Sequence, residues 1–300
     1  MSIRHGYKVI STVVTSSIMG HSGGGMFPLT LSPAYRRLTR VIRETSAYNL
    51  TKSSTRYENI GFFILKNPWT WKYVQRLGND GLLNAYGLNN NGIKVNAPEI
   101  ASAQKAGFKV IPNYYPLTDN KNFIAQTKEA ITFYQQFLGE EFWALELNFS
   151  CHNSKEKIEE NMADALMCTK AIRQENTNLY LIAKISYVHP HEFAQELINV
   201  GANAIHAINS IPFKIIFCGI SPLVKVGGGA VSGGPAQKKA FKYSCQLKKV
   251  LKAKMIMGCG ITCLDDARRY IEGAGADVIS ICTVARLNPR EAEKIIEFYS

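Results

Sequence analysis

Eight short apolar runs alternate with eight stretches of helical periodicity along this chain, and no other feature restricts its fold so strongly. The runs fall at 9–14, 47–52, 108–113, 142–149, 179–185, 204–208, 254–257 and 277–281. Helical spacing follows each: first in a helix that Pro33 can start and that runs through Arg36, Leu38, Val41 and Ile42, then over 99–106, 124–137, 158–173, 192–200, 236–251, 265–272 and 290–299. Continuous apolar strands separated by helices imply a parallel sheet buried on both faces. Eight such units in 300 residues, with no Gly-x-Gly-x-x-Gly turn after the first strand, predict an α/β fold of the (β/α)8 TIM-barrel type rather than an open doubly wound sheet.

Composition agrees with one globular domain over residues 1–300, since 46% of residues are apolar and 19% charged. Thirty-five Lys and Arg against 23 Asp and Glu leave a net charge of +12, which suits nucleic acid, an anionic small molecule or an acidic partner protein. The basic residues are spread out, with a mild cluster at Lys238, Lys239, Lys242, Lys248 and Lys249, and lack the basic-aromatic pattern of a nucleic-acid module. Seven cysteines without framework spacing imply reduced thiols in the cytoplasm, and the absence of a Cys-x-x-Cys pair gives no metal site. The apolar run 9–19 is too short for a bilayer and contains Ser and Thr, so it reads as the first strand and not as a membrane span.

In such a barrel the chemistry belongs at the carboxyl ends of the strands. Polar groups cluster there at Lys52, Asn84, Asn113, Asn148 to Asn153, Lys184, Asn209-Ser210 and Gly227 to Gly234. The fourth run is the most informative. Trp143, Leu145, Leu147 and Phe149 alternate at the strand period of two, and Asn148, Ser150, Cys151 and Asn153 crowd its end. Cys151 has two readings: a small buried hydrophobe, or a thiol placed to accept a proton in a closed pocket. Its polar neighbours favour the second. His152 reads as a proton relay or an exposed loop residue, with the loop favoured. Lys184, inside Leu181-Ile182-Ala183-Lys184-Ile185, needs an anionic or hydrogen-bonding partner, such as a bound ligand, or must snorkel to water. Lys52 poses the same choice. Irregular backbone is expected around Trp69, Trp71 and Tyr73 and in the Gly- and Asn-rich run 81–92. The run 227–235, with Gly258-Cys259-Gly260 and Thr283 after the seventh and eighth strands, reads as anion-binding backbone.

Together these residues resemble the dihydroorotate dehydrogenase family of flavin-dependent barrels, which includes the pyrimidine-reducing part of dihydropyrimidine dehydrogenase. Asn148-Phe149-Ser150-Cys151-His152-Asn153 is similar to the family's Asn-x-Ser-Cys-Pro-Asn, Thr51-Lys52-Ser53 to its Thr-Lys-Ser, and Asn84 to Asn90 to its Asn-x-x-Gly-Leu-x-Asn. Ala183-Lys184-Ile185, Ile208-Asn209-Ser210 and Gly227 to Gly234 follow in the same order, so the resemblance runs from about Thr51 to the end. It implies FMN as cofactor and oxidation of dihydroorotate to orotate by the soluble class, with Cys151 as the base at ring carbon five and a hydride leaving carbon six. Lys52, Asn84, Asn148, Asn153, Asn209 and Ser210, with the backbone of Gly87 and Leu88, would hold the pyrimidine and its carboxylate. Lys52, Asn148 and Lys184 would contact the flavin ring, with Gly233, Gly260 and Thr283 near its phosphate. A homodimer and a separate electron-acceptor subunit are further implications, fumarate being the other acceptor used in this class. The chain departs from the pattern at His152, in the short loop after Asn153, and in the glycines after strands seven and eight, where Ile261 and Cys282 stand. Two alternatives stay open: reduction or oxidation of another dihydropyrimidine or cyclic amide, and a barrel that binds without catalysis.

Overall fold

The computed structural model describes residues 2–25, 28–45, 47–64, 66–116, 122–150 and 158–300. The apolar runs become parallel strands that close into a TIM barrel: β1 (Val13–Ser16), β2 (Tyr48–Leu50), β3 (Lys109–Ile111, continued by Asn113–Tyr114), β4 (Ala144–Asn148), β5 (Tyr180–Lys184), β6 (Ala204–Ala207), β7 (Lys254–Gly258) and β8 (Val278–Ile281). Each strand pairs with the next, and β8 returns to β1 with Ile279 opposite Val13. The third strand is broken at Pro112, which has no N–H to give to a ladder. Its first piece pairs with β2, Leu50 opposite Ile111, and its second with β4, Asn113 opposite Glu146.

Helices α1 (Pro33–Glu44), α2 (Ile93–Lys105), α3 (Phe123–Leu138), α4 (Ile158–Glu175), α5 (His191–Asn199), α6 (Gly234–Val250), α7 (Leu264–Arg268) and α8 (Pro289–Tyr299) accompany the strands. Their apolar faces bury Leu38, Ile100, Ile131, Ile172, Leu197, Leu247 and Ile295 in one continuous cluster with the outward residues of the strands. Among the described residues no helix is long and apolar enough to cross a membrane.

Three expectations need correction. The run 9–14 is not one strand. Lys8–Ile10 pairs antiparallel with Ile3–His5, Ile3 opposite Ile10, and the barrel strand begins only at Val13. The helix expected at 99–106 starts at Ile93 and carries Pro98 inside it, because tertiary contacts hold its first turns. Ile93 and Asn96 are fully buried, and Asn96 donates to Ser54 Oγ at 3.0 Å and Asn90 Oδ1 at 3.1 Å. The stretches expected to be irregular are so only in part: Pro68–Tyr73 is a short 3-10 helix and residues 85–92 lie outside strands and helices, with positive φ at Gly87, Leu88 and Gly92, but Gly81–Asn84 joins an antiparallel sheet in the order Ile211–Pro212, Ala230–Gly233, Gly81–Asn84, Val74–Leu77.

One pattern along the strands positions the site. Residues two apart point to the same side of a strand, and on the inward row each strand changes character toward its carboxyl end. Val14, Leu50, Ile111, Ala144, Ile182, Ala204, Ile256 and Val278 share a buried apolar cluster at the base, together with Ile3 and Ile10 of the amino-terminal hairpin. Two residues further on stand Ser16, Lys52, Asn113, Glu146, Lys184, His206, Gly258 and Ser280. The apolar layer packs the base, and the next layer is available for chemistry.

Candidate active site

Above this polar layer lies a cavity of about 790 Å³, within the usual range for a small-molecule site. Of the residues singled out in the sequence, Lys52, Asn84, Gly87, Leu88 and Asn148 line it from one side, and Lys184, Asn209, Ser210, Gly260 and Thr283 complete the wall. Cys151, His152, Asn153 and the loop behind them lie outside the described residues.

The end of β4 is tied to its neighbours by a chain of short hydrogen bonds. Asn148 donates through Nδ2 to Ser53 Oγ at 2.9 Å, and its Oδ1 accepts from the Ser150 backbone N–H at 3.0 Å and from Ser150 Oγ at 2.5 Å. Asn209 Nδ2 donates to Ser150 Oγ at 2.8 Å. The residues after β2, β4 and β6 are thus locked together, which fixes the two amide side chains before any ligand arrives. Asn84 Nδ2 donates to the Ala230 carbonyl at 3.3 Å across the antiparallel sheet.

The two lysines differ. Lys52 Nζ donates to Asn89 Oδ1 at 2.6 Å and lies 5.9 Å from the Tyr86 ring centroid. Burial pulls its pKa down to about 8. Among the described residues no carboxylate stands within ion-pair distance of it, so its ammonium is available to an anion in the cavity. Lys184 is only 4% exposed, which excludes snorkelling to water. It donates to Ser16 Oγ at 3.2 Å and faces Glu146 Oε1 at 3.9 Å. Its partner is therefore a buried carboxylate from the neighbouring strand.

Glu146 and His206 are the functional groups that the sequence reading missed. Glu146 is fully buried, accepts from Asn113 Nδ2, and lies 2.5 Å from His206 Nδ1. Burial pushes its carboxyl up, but His206, Lys184 and the bonds from His206 and Asn113 outweigh this and hold it below the ordinary carboxylate value. Burial lowers the His206 pKa despite Glu146. We assign His206 as a neutral ring whose Nδ1–H donates to Glu146, leaving Nε2 as an acceptor beside the cavity it lines. The signal was present: Leu145-Glu146-Leu147 and Ile205-His206-Ala207 set an ionisable group in an apolar strand, as Lys184 does.

Of the glycines expected as anion-binding backbone, Gly227, Gly228, Gly229 and Gly260 line the cavity. Gly233 is not on the described cavity wall. At φ +82° it packs against Asp80, where a Cβ would fall 2.0 Å from the Asp80 carbonyl oxygen. Gly260 lines the cavity, but its φ of +99° serves a close approach to α6, a Cβ there falling 2.5 Å from Gln237 Cα. The hydroxyls nearby form a pair, with Thr283 Oγ1 donating to Ser232 Oγ at 2.8 Å.

Electrostatically the cavity is one-sided. Among the described residues that line it, Lys52, Lys184, Lys214 and Arg286 are cationic, and none is Asp or Glu. A low-dielectric cleft of one sign concentrates ligands of the other.

Comparisons with known proteins point the same way. The family described as Dihydroorotate dehydrogenase matches residues 38–298. The chain is 26% identical over 247 residues to the catalytic subunit of dihydroorotate dehydrogenase B (NAD(+)) from Oceanobacillus iheyensis, covering 80% of this chain and 76% of that protein. It is 28% identical over 259 residues to the protein of the same name from Trichlorobacter lovleyi, covering 80% of each. The Listeria monocytogenes protein of that name is 26% identical over 226 residues, covering 72% of this chain and 70% of the other.

Proposed function

The chain belongs to the dihydroorotate dehydrogenase family, and from that premise we propose that it oxidises dihydroorotate to orotate with FMN as cofactor and Cys151 as base. The observation that carries this reading is the cavity itself: four cationic side chains and no described carboxylate on its wall, with Asn148 and Asn209 held rigidly at the strand ends. A planar cyclic imide bearing a carboxylate needs amide groups that donate and accept, plus one cation. Asn148, Asn209 and Lys52 are of those types.

The residues also fit FMN. The cavity has room for a cofactor and a substrate, Lys184 presents an ammonium at its floor, and the Thr283 and Ser232 hydroxyls lie on its wall. Lys52, Asn148 and Lys184 would hold the ring, with Gly260 and Thr283 toward the phosphate; Gly233 would act only by shaping the turn before α6. When bound, FMN supplies the two-electron acceptor that no side chain can provide.

Protein groups account for the rest. Lys52 would neutralise the substrate carboxylate, and Asn148, Asn209 and Ser210 would orient the ring so that carbon five faces the Cys151 thiolate. Cys151 would take that proton as the hydride leaves carbon six. Ser150, fixed by Asn148 and Asn209, would set the start of the segment that carries the thiol. Glu146, itself held by His206 and Asn113, would keep Lys184 charged and in place.

Two results test the reading. Adding dihydroorotate without oxygen should bleach the flavin band of the purified protein, and dihydrouracil should do so far more slowly; the reverse preference would favour the other dihydropyrimidine reading. Orotate binding should weaken as pH rises through about 8, because the depressed Lys52 pKa means that its ammonium is lost there. In Lys52→Met, orotate should bind at least about tenfold more weakly at neutral pH, and the Lys52-dependent weakening above pH 8 should disappear.

For the electrons' exit we propose a partner subunit, following the relatives named as catalytic subunits of an NAD(+) enzyme. The net charge of +12 would favour an acidic docking face on it. A cytoplasmic homodimer built from one barrel domain per chain completes the proposal.

A further inference from the structure

Resting on the flavin reading above, we propose that Arg286 anchors the phosphate of the bound flavin, a charged side chain acting beside the hydroxyls and backbone on that wall. Of the two glycines expected near the phosphate, Gly233 packs against Asp80 off the described cavity wall, and Gly260 lines the cavity with Gln237 close behind it. A phosphate carrying up to two negative charges calls for a cation beside any backbone N–H groups. Arg286 lines the cavity three residues after Thr283, in the short helix Thr283–Leu287, so the two side chains share one face of it.

Of the five N–H donors on its guanidinium, the described contacts engage only one nitrogen, Nη1, which donates to the Tyr86 hydroxyl. No described carboxylate pairs with it. A part-buried guanidinium with most of its fork unsatisfied is suited to bidentate contact with phosphate oxygens.

The assignment between the two anions follows from position. Lys52 adjoins Ser53, which is bonded to Asn148, and so belongs with the amides that would hold the pyrimidine. Arg286 belongs with Thr283 and Ser232 after β8. Tyr86 stands between the two cations, its ring 5.9 Å from Lys52 Nζ and its hydroxyl on Arg286. It would separate a carboxylate subsite from a phosphate subsite.

The test compares FMN with riboflavin, which lacks the phosphate, by quenching of flavin fluorescence on titration into protein stripped of flavin. Wild-type protein should bind FMN more tightly. Arg286→Gln should lower FMN affinity about 10- to 100-fold and leave riboflavin affinity unchanged, with Arg286→Lys in between. Equal losses for both flavins, no loss of FMN affinity, or a loss of orotate affinity instead would each overturn the assignment. Should Arg286→Gln fail to fold, the wild-type preference decides: equal affinity for the two flavins defeats the role of Arg286 alone, whereas binding of neither defeats the flavin reading itself.

Discussion

Replacing Cys151 with alanine is expected to lower steady-state dihydroorotate oxidation by about 10²- to 10⁴-fold, the range of a general base, while flavin stays bound. Asn148 to Asn153 holds two groups able to take a proton near neutral pH, the Cys151 thiol and the His152 imidazole, and the family resemblance places the thiol, which titrates at about 8.5 when free, as the base. Serine is the sharper substitution, because it keeps the size and hydrogen bonding but has a far higher pKa. Cys151→Ser should turn over slowly, at a rate that climbs with pH beyond the range where the wild-type enzyme levels off. Stopped-flow reduction of the flavin at several pH values reads both. Unchanged reduction rates in Cys151→Ala would remove the thiol from the mechanism, whatever happens at the acceptor.

The second large effect concerns stability. Glu146→Ala should destabilise the fold by about 3–5 kcal/mol in denaturant unfolding, the cost of leaving a buried ion without its partner. The carboxylate is shared by Lys184, His206 and Asn113, all within the barrel. Removing it strands an ammonium that is only 4% exposed. The double variant Glu146→Ala/Lys184→Met should recover much of that loss, because it removes both charges. If the two single effects simply add, the ions do not interact. The carboxyl also predicts a direction with pH. Held below its ordinary value of 4.5, it contributes in full above that value and loses its contribution as pH falls through its lower folded pKa.

The barrel was legible because each strand is buried on both faces, so its apolar run is continuous and its carboxyl end is marked by the first polar residues. That is how Lys52, Asn148, Lys184 and Asn209 could be picked out and why they line one cavity. Glu146 and His206 carried the same mark. Their meeting was not readable, since it depends on register across β4, β5 and β6, with Ile182 opposite Glu146 and Lys184 opposite His206. The antiparallel sheet escaped for a related reason: Gly81–Asn84 is a strand only because Ala230–Gly233, far along the chain, lies beside it. Gly233 shows the limit at a single residue. A glycine that admits a phosphate and one that admits the Asp80 carbonyl look alike in sequence, and only the neighbour tells them apart.

The amino-terminal hairpin bears on traffic. Ile3 and Ile10 stop the base of the barrel against Val14, Ile182 and Ile256, so among the described residues the axis is a blind alley that opens toward the carboxyl ends of the strands. Whatever enters to be oxidised must leave by the way it came. Orotate therefore has to clear the mouth before the next dihydroorotate can enter, while electrons must pass sideways through the wall or outward once it has gone. A tightly held product should accordingly act as a competitive inhibitor toward dihydroorotate, and a binding partner that covered the doorway would slow both entry and release.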